Sequence, residues 1–214
     1  MIAVTDADRA LVLRCQANDA QAFNEIVARY KNRVFNYICR MIGAGPDAED
    51  LAQDTFVRAY LSIGSFESRA TLNTWLFRIA TNLCIDYLRR TSRVKCVSIS
   101  RHADEDDAAA DEDWSIPDDR FEPQQALLAK ELDRELNRAL MELPEKQRSV
   151  IVLFDIEGVP YEEIAHILRC PLGTVKSRLF SARMALRKRL EPYVNGSLEE
   201  PGGKRSKGKE WPAR

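Results

Sequence analysis

The segment YEEIAHILRCPLGTVKSRLF, residues 161–180, carries the side chains whose types and spacing could do chemistry. Three interpretations fit it: two helices that read DNA, two helices that only pack together, or a Glu-x-x-His pair of metal ligands. Glu163 and His166 have the i, i+3 spacing that puts two ligands on one helical face. A metal site in a helical bundle needs two such motifs and further facing carboxylates. The only other histidine is His102, so the sequence predicts no metal site.

The DNA-reading interpretation divides the segment into a helix over 161–168, a tight turn, and a second helix from Leu172 to about Leu190. Pro171 suits the first position of a helix, where a missing N–H costs nothing. At 100° per residue, the second helix has a narrow apolar stripe formed by Val175, Leu179, Ala182, Leu186 and Leu190. On the opposite side lie Thr174, Ser177 and Ser181, and Arg178 falls between the two sides.

The second helix carries six bases and no acid. Small polar side chains and Arg toward base edges, with Lys and Arg toward phosphates, are typical of a helix in a major groove. The alternative is a solvated basic helix end, because the helix dipole favours cations near the C-terminus. That alternative explains the last turn but not Lys176 and Arg178, which lie in the first two turns. The residues therefore favour DNA reading.

The net charge of −1 over 214 residues hides a segregation of charge. Residues 104–122 hold ten acids and one base, which leaves 23 acids against 31 bases on the rest of the chain, about +8. The overall charge would not indicate a nucleic-acid-binding protein, but this distribution does.

Apolar residues recur at helical spacing in two stretches, which predicts an all-α fold with two small helical domains. Asn18 and Asp19 are predicted caps for the long helix that follows them. We expect an N-terminal domain over 1–93, a flexible acidic linker over 94–124, a C-terminal domain over 125–194 and a disordered tail over 195–214. No apolar run is long enough to cross a bilayer and the N-terminus lacks the features of a secretory signal, so we expect a cytoplasmic protein without membrane insertion. The five cysteines are scattered singly, which predicts buried reduced thiols.

Two faces of the N-terminal half also carry chemistry. In DAEDLAQDTFVRAYL, Asp47, Asp50 and Asp54 share a face with Gln53 beside them. Acids near a helix start complement the dipole, but these extend past the first turn and suggest a dock for a basic protein surface. In the following helix, one row suits contacts to a single nucleic-acid strand, although Trp75 could equally fill the edge of the core while the polar residues face water. That row holds Trp75, Arg78, Asn82, Asp86, Arg89 and Arg93.

Four stretches in this order resemble the extracytoplasmic-function sigma factors, the compact specificity subunits of bacterial RNA polymerase. The stretches are DAEDLAQDTFVRAYLSIGSF, TWLFRIATNLCIDYLRR, LPEKQRSVIVLFDIEGVPYEEIAHIL and LGTVKSRLFSARMALRKRL. With the helix AFNEIVARYKNRVFNYI, the resemblance covers nearly all of residues 10–194.

The resemblance implies roles for the matching positions. The residues that would bind core polymerase are Asp47, Asp50, Leu51, Gln53, Asp54 and Val57. Those that would open and read the −10 element on the non-template strand are Phe66, Arg69, Thr71, Trp75, Arg78, Asn82, Asp86, Arg89 and Arg90. The helix-turn-helix would span 161–180, and the residues that would read the −35 duplex are Thr174, Lys176, Ser177, Arg178, Phe180, Ser181 and Arg183.

The resemblance further implies a cognate anti-sigma factor, no cofactor and no catalytic residues, because the polymerase supplies the chemistry. The acidic linker resembles the segment that runs toward the RNA exit path of the polymerase. Ser181 stands where relatives often carry a base, which puts a phosphate contact there in doubt. Two rival functions have other consequences: a stand-alone helix-turn-helix regulator leaves the acidic face and the Trp75 row without a purpose, and a metal-dependent hydrolase needs facing ligand pairs that the sequence lacks.

Overall fold

The computed structural model describes residues 6–67, 70–98 and 123–196, and all regular structure within these ranges is helical. This confirms the all-α prediction. The elements are α1 Asp6–Gln16, α2 Ala20–Ile42, α3 Pro46–Ser62, a 3₁₀ turn Ile63–Ser65, α4 Leu72–Ser98, α5 Pro123–Glu142, α6 Glu145–Ile151, a π-turn Val152–Ile156, α7 Tyr161–Leu168 and α8 Leu172–Gly196.

The helix ends in the N-terminal half follow from a few local signals. The Asp19 carboxylate accepts hydrogen bonds from the backbone N–H groups of Gln21 and Ala22 at the start of α2, which confirms the predicted cap. Gly43 ends that helix with φ of 96°, a conformation that favours glycine. Pro46 then opens α3, where its missing N–H costs nothing.

Helix α4 is longer than the sequence predicted. The Thr71 hydroxyl accepts the N–H of Thr74 at 3.1 Å and so caps the helix. The helix continues to Ser98, and α5 begins at Pro123, so both ends of the predicted linker are helical. Residues 99–122, which include the acidic cluster, and the tail from residue 197 lie outside the described residues.

Buried side chains form one continuous core that runs through both halves of the chain. Tyr37 lies at its centre, where its hydroxyl and that of Thr81 are 2.7 Å apart. The thiols of Cys39 and Cys84 are buried nearby, and burial raises the pKa of each to about 12. Both therefore stay protonated and unreactive at neutral pH, as the sequence predicted.

The two predicted helical domains pack directly against each other. Helix α2 contacts α5, α6 and the π-turn, and α4 contacts α7. The contact places the first helix of the predicted helix-turn-helix beside the start of α4, which carries the predicted strand-reading row. The relation between these two surfaces is therefore part of the fold.

Candidate nucleic-acid interface

The turn between α7 and α8 has the geometry that the sequence predicted for a helix-turn-helix. Arg169 ends α7 in the left-handed conformation, with φ of 48°, and the N–H of Cys170 donates to the carbonyl of Ala165 at 3.1 Å. The Pro171 carbonyl accepts the N–H of Thr174 at 2.9 Å. Helix α8 therefore begins at Leu172, as predicted, and Pro171 caps it through its carbonyl.

Helix α8 presents one buried and one exposed side. The predicted apolar stripe is confirmed, since its first four members are buried: Val175, Leu179, Ala182 and Leu186. The opposite side is open to solvent and carries Lys176, Ser177, Phe180 and Ser181, with Met184 beside them. Thr174 and Arg178 lie half-buried at the edges. Two large apolar side chains exposed among polar ones mark a contact surface.

A column of rings and cations joins the π-turn, α7 and α8. The rings of Phe154 and Tyr161 stack at 4.2 Å with an interplanar angle of 6°. The Lys176 ammonium lies 6.0 Å from the centre of the Tyr161 ring, and the Arg183 guanidinium lies 5.5 Å from that of Phe154. The sequence did not predict this column, because it includes the π-turn, where the α-helical period is interrupted and residue spacing does not indicate which side chains meet.

The two arginines predicted to face DNA on α8 differ in their surroundings. Arg183 donates to both carboxylate oxygens of Asp155, with Nε 2.9 Å from Oδ2, and this contact raises the pKa of its guanidinium. Arg183 is therefore held by the π-turn. Arg178 makes only a weak contact, with Nη1 3.7 Å from the Cys170 sulfur. Of the two guanidinium groups, that of Arg178 is held by fewer contacts among the described residues and is therefore freer to reorient.

The predicted row on α4 is exposed over several turns. Its members Arg78, Asn82, Asp86, Arg89 and Arg93 face solvent, as does Arg90 beside them. Asp86 organises the C-terminal part, since its carboxylate lies 3.9 Å from Arg89 and its backbone carbonyl accepts the Arg90 Nε at 3.3 Å. The row therefore presents a line of guanidinium and amide groups along one side of the helix.

Helix α3 exposes an acidic face with an apolar end. Asp47, Asp50, Gln53, Asp54 and Val57 are exposed as predicted, and Asp47 also accepts a hydrogen bond from the Tyr87 hydroxyl at 2.7 Å. The face continues into Tyr60 and Leu61, which are 54% and 77% exposed. The predicted core-polymerase-binding residues did not include Tyr60 and Leu61. Their apolar character, on a side of α3 away from its buried residues, could have indicated them.

Comparison with known proteins accounts for both halves. The family model described as Sigma-70 region 2 matches residues 26–94, and that described as Sigma-70, region 4 matches residues 133–186. The RNA polymerase sigma-H factor of Pseudomonas aeruginosa is 35% identical over 193 residues, covering 88% of this chain and 96% of that protein. The ECF RNA polymerase sigma-E factor of Haemophilus influenzae is 38% identical over 191 residues, covering 87% and 97%. The chain belongs to the extracytoplasmic-function sigma factors.

The fold of this sigma factor is also similar to a solved structure. The sigma factor RpoE, in its co-crystal structure with the anti-sigma factor NepR from Bartonella quintana, aligns with a TM-score of 0.62 at 26% identity. The alignment covers 80% of this chain and 98% of that one. Family membership identifies a transcription initiation factor and not an enzyme.

Three predicted contact residues of this sigma factor lie in its interior, which corrects their assignment. Leu51 is buried beneath the acidic face of α3. Trp75, 8% exposed, packs against Phe66 with ring centres 5.1 Å apart, and Phe66 is buried as well. Apolar contact with the core outweighs exposure for each of them. Of the remaining residues predicted for the −10 element, Thr71 caps α4 and Arg69 lies outside the described residues.

The described residues of this sigma factor contain neither a metal site nor a membrane span. Glu163 accepts a hydrogen bond from the Thr74 hydroxyl, and His166 is exposed, so the two do not form a ligand pair. Within residues 6–67, 70–98 and 123–196, no three potential ligands cluster where a metal ion could bind. No helix in the described part of the chain is long and apolar enough to cross a membrane.

The burial of Trp75 generates the first prediction. Trp75→Ala is expected to lower the free energy of unfolding by about 3 kcal/mol or more, because it leaves a cavity beside Phe66. Trp75→Phe, which keeps a ring in place, should cost clearly less. Urea denaturation followed by circular dichroism measures both. An unchanged midpoint for Trp75→Ala would mean that the ring lies on the surface, free to stack on a base.

Proposed function

We propose that this sigma factor docks on bacterial RNA polymerase core through α3, reads the −35 element as a duplex with α8, and opens and reads the −10 element as a single non-template strand with α4. The observation that carries the proposal is the exposed side of α8. It combines cations, small hydroxyls and an aromatic ring on a helix that holds no acid from Leu172 to Leu190. A solvated helix end would not concentrate these groups in its first turns.

The −35 contact uses α8 as a major-groove helix. Ser177 and Ser181 supply short hydroxyls that donate to or accept from base edges, and Phe180 offers apolar contact to a thymine methyl. Arg178, held only by the weak contact to Cys170, can turn its guanidinium toward a guanine. Lys176, above the Tyr161 ring, supplies a phosphate contact that fixes the register without reading sequence.

The −10 contact uses the exposed row of α4. From Arg78 to Arg93 the row extends about 22 Å at 1.5 Å per residue. Its guanidinium and amide groups suit the phosphates and edges of several unstacked nucleotides. Captured bases then favour the open strand, so that strand separation is driven by binding energy. Thr71 caps the start of α4, and Phe66 and Trp75 pack beneath it. These three residues thereby hold the row in position.

The dock for core polymerase has an apolar centre with an acidic surround. Val57, Tyr60 and Leu61 are exposed and lie at helical spacing beside Asp50 and Asp54. An interface core that is apolar and aromatic, with a polar rim, is the common composition of protein–protein contacts. The acids give the surface the charge that a basic partner requires and accelerate encounter.

Regulation by an anti-sigma factor and residence in the cytoplasm complete the proposal. The similar sigma factor of Bartonella quintana is co-crystallised with the anti-sigma factor NepR, which supports an inhibitor of the same class for this chain. A protein that binds RNA polymerase core and promoter DNA acts in the cytoplasm, where both are found.

The readout by Arg178 generates the second prediction. Arg178→Ala is expected to weaken −35 recognition by about 5- to 150-fold, as one guanidinium contact to a base is worth ~1–3 kcal/mol. Transcription by the reconstituted holoenzyme, compared between a cognate promoter and promoters with single −35 substitutions, measures it. Arg189→Ala is the matched control, because the Arg189 guanidinium already pairs with Glu142 at 2.6 Å. Equal discrimination by both variants would contradict the assigned role of Arg178.

The acidic dock generates the third prediction. Asp54→Lys is expected to lower affinity for core polymerase at least ~10-fold, because like charges meet across the interface. Glu162→Lys makes the same charge change on an exposed position of α7, away from this face, and should bind normally. Competition against a labelled sigma factor for core polymerase compares the two. Similar losses for both variants would indicate a general charge effect and exclude this face as the dock.

A further inference from the structure

The last residue of α1 connects the end of that helix to the segment that leads into α4. Gln16 donates from Nε2 to the backbone carbonyl of Ile63 at 3.2 Å and to that of Phe66 at 3.1 Å. Both N–H groups of the side-chain amide are thereby used. Gly64 and Ser65 lie between the two acceptors, so one side chain spans the whole 3₁₀ turn. The path of the backbone through this turn is therefore fixed from α1.

The connection lies beside an open groove. The groove has a volume of about 310 Å³ and lies where the turn between α1 and α2 faces the end of α3. Phe23, Tyr60 and Leu61 contribute to its lining, and the last two remain largely exposed. Apolar contact is incomplete here, and it has no direction of its own. The two hydrogen bonds of Gln16 supply that direction.

The segment that Gln16 holds leads to the proposed strand-reading row. Phe66, whose carbonyl accepts one of the two bonds, is buried, and its ring centre lies 5.1 Å from that of Trp75. Trp75 lies in the first turn of α4, three residues before Arg78, the first exposed member of the row. A displacement of the Phe66 backbone would therefore change what the first turn of α4 packs against.

Helix α1 lies outside the part of the chain that matches the region 2 family model, residues 26–94. It nevertheless belongs to the fold, because Leu11 and Val12 are buried and the helix packs on α2 and on the 3₁₀ turn. Gln16 itself is exposed. Burial therefore does not hold its side chain, whereas the two hydrogen bonds do. Such a side chain can be changed without leaving a cavity in the core.

We propose that Gln16 is a positioning residue for the −10 contact. It holds residues 63–66 in place, so that Phe66 and Trp75 set the start of α4, and with it the strand-reading row, before DNA binds. The anchoring stands on the contacts alone, whereas its consequence for the −10 element rests on the proposed function. Reading of that element then depends on α1 as well as on α4.

An isosteric change tests the anchoring in the full-length chain. Gln16→Glu replaces the amide by a carboxylate that cannot donate, so both carbonyls lose this partner. Trp114→Phe and Trp211→Phe, both outside the described residues, leave Trp75 as the single tryptophan. Acrylamide quenching of its fluorescence is expected to rise in Gln16→Glu toward that of the denatured chain. Gln21→Glu, the same change at an exposed position in the first turn of α2, should leave quenching unchanged. Equal quenching in the two variants would overturn the anchoring.

Promoter discrimination tests the consequence. Holoenzyme with Gln16→Glu is compared with the Gln21→Glu form on promoters that carry single substitutions in the −10 or the −35 element. Discrimination at the −10 element is expected to fall by about 3- to 10-fold, the scale of one net hydrogen bond. Discrimination at the −35 element and affinity for core polymerase should be the same in both forms.

Two outcomes would overturn the positioning role. One is full −10 discrimination by Gln16→Glu. The other is an equal loss at both promoter elements, which would show a general loss of stability. Wild-type holoenzyme without −10 discrimination would instead count against the proposed function, and the quenching comparison would still decide the anchoring.

Discussion

The reading face of α8 depends on the stack of Phe154 on Tyr161. Apolar contact is non-directional, so a helix packed only through its apolar stripe is weakly held against rotation about its own axis. Such a rotation would turn its polar side away from the base edges that it is proposed to read. The stack joins the π-turn to α7, and Lys176 and Arg183 extend it from α8 on both sides. The pair of Arg183 with Asp155 adds a directional contact. The orientation of the helix is therefore fixed before DNA arrives.

In the proposed function, the charges that orient α8 differ from those that recognise DNA. Arg183 is paired with Asp155 of the π-turn. Among the described residues, Arg178 contacts only the Cys170 sulfur, and Ser177 and Ser181 face solvent. The acidic face of α3 lies in the N-terminal half, so it does not neutralise the basic side of α8 locally. A net charge of −1 for the whole chain thus conceals two surfaces of opposite sign.

The sequence predicted the helices and the stripe of α8 because both follow from a regular period and local caps. Asp19 and the turn after Leu168 were identified for that reason. The burial of Phe66 and Leu51 was not predicted, and that of Trp75 was left open, because sequence spacing does not show what covers each side chain. The ring column through Phe154 and the ion pair between Arg33 and Glu157 were not predicted for another reason. They join residues whose contact depends on an irregular turn or on a sequence separation of 124 residues, which no local pattern encodes.

Reconstituting the purified chain with bacterial core polymerase, and transcribing a promoter library randomised at both elements and in the length between them, tests the account most directly. The account predicts initiation that core polymerase alone lacks, with enrichment of one −35 sequence and one −10 sequence at a restricted spacing. Duplex binding by the free chain, with no binding to core polymerase and no initiation, would contradict it and would assign the chain to stand-alone DNA-binding regulators.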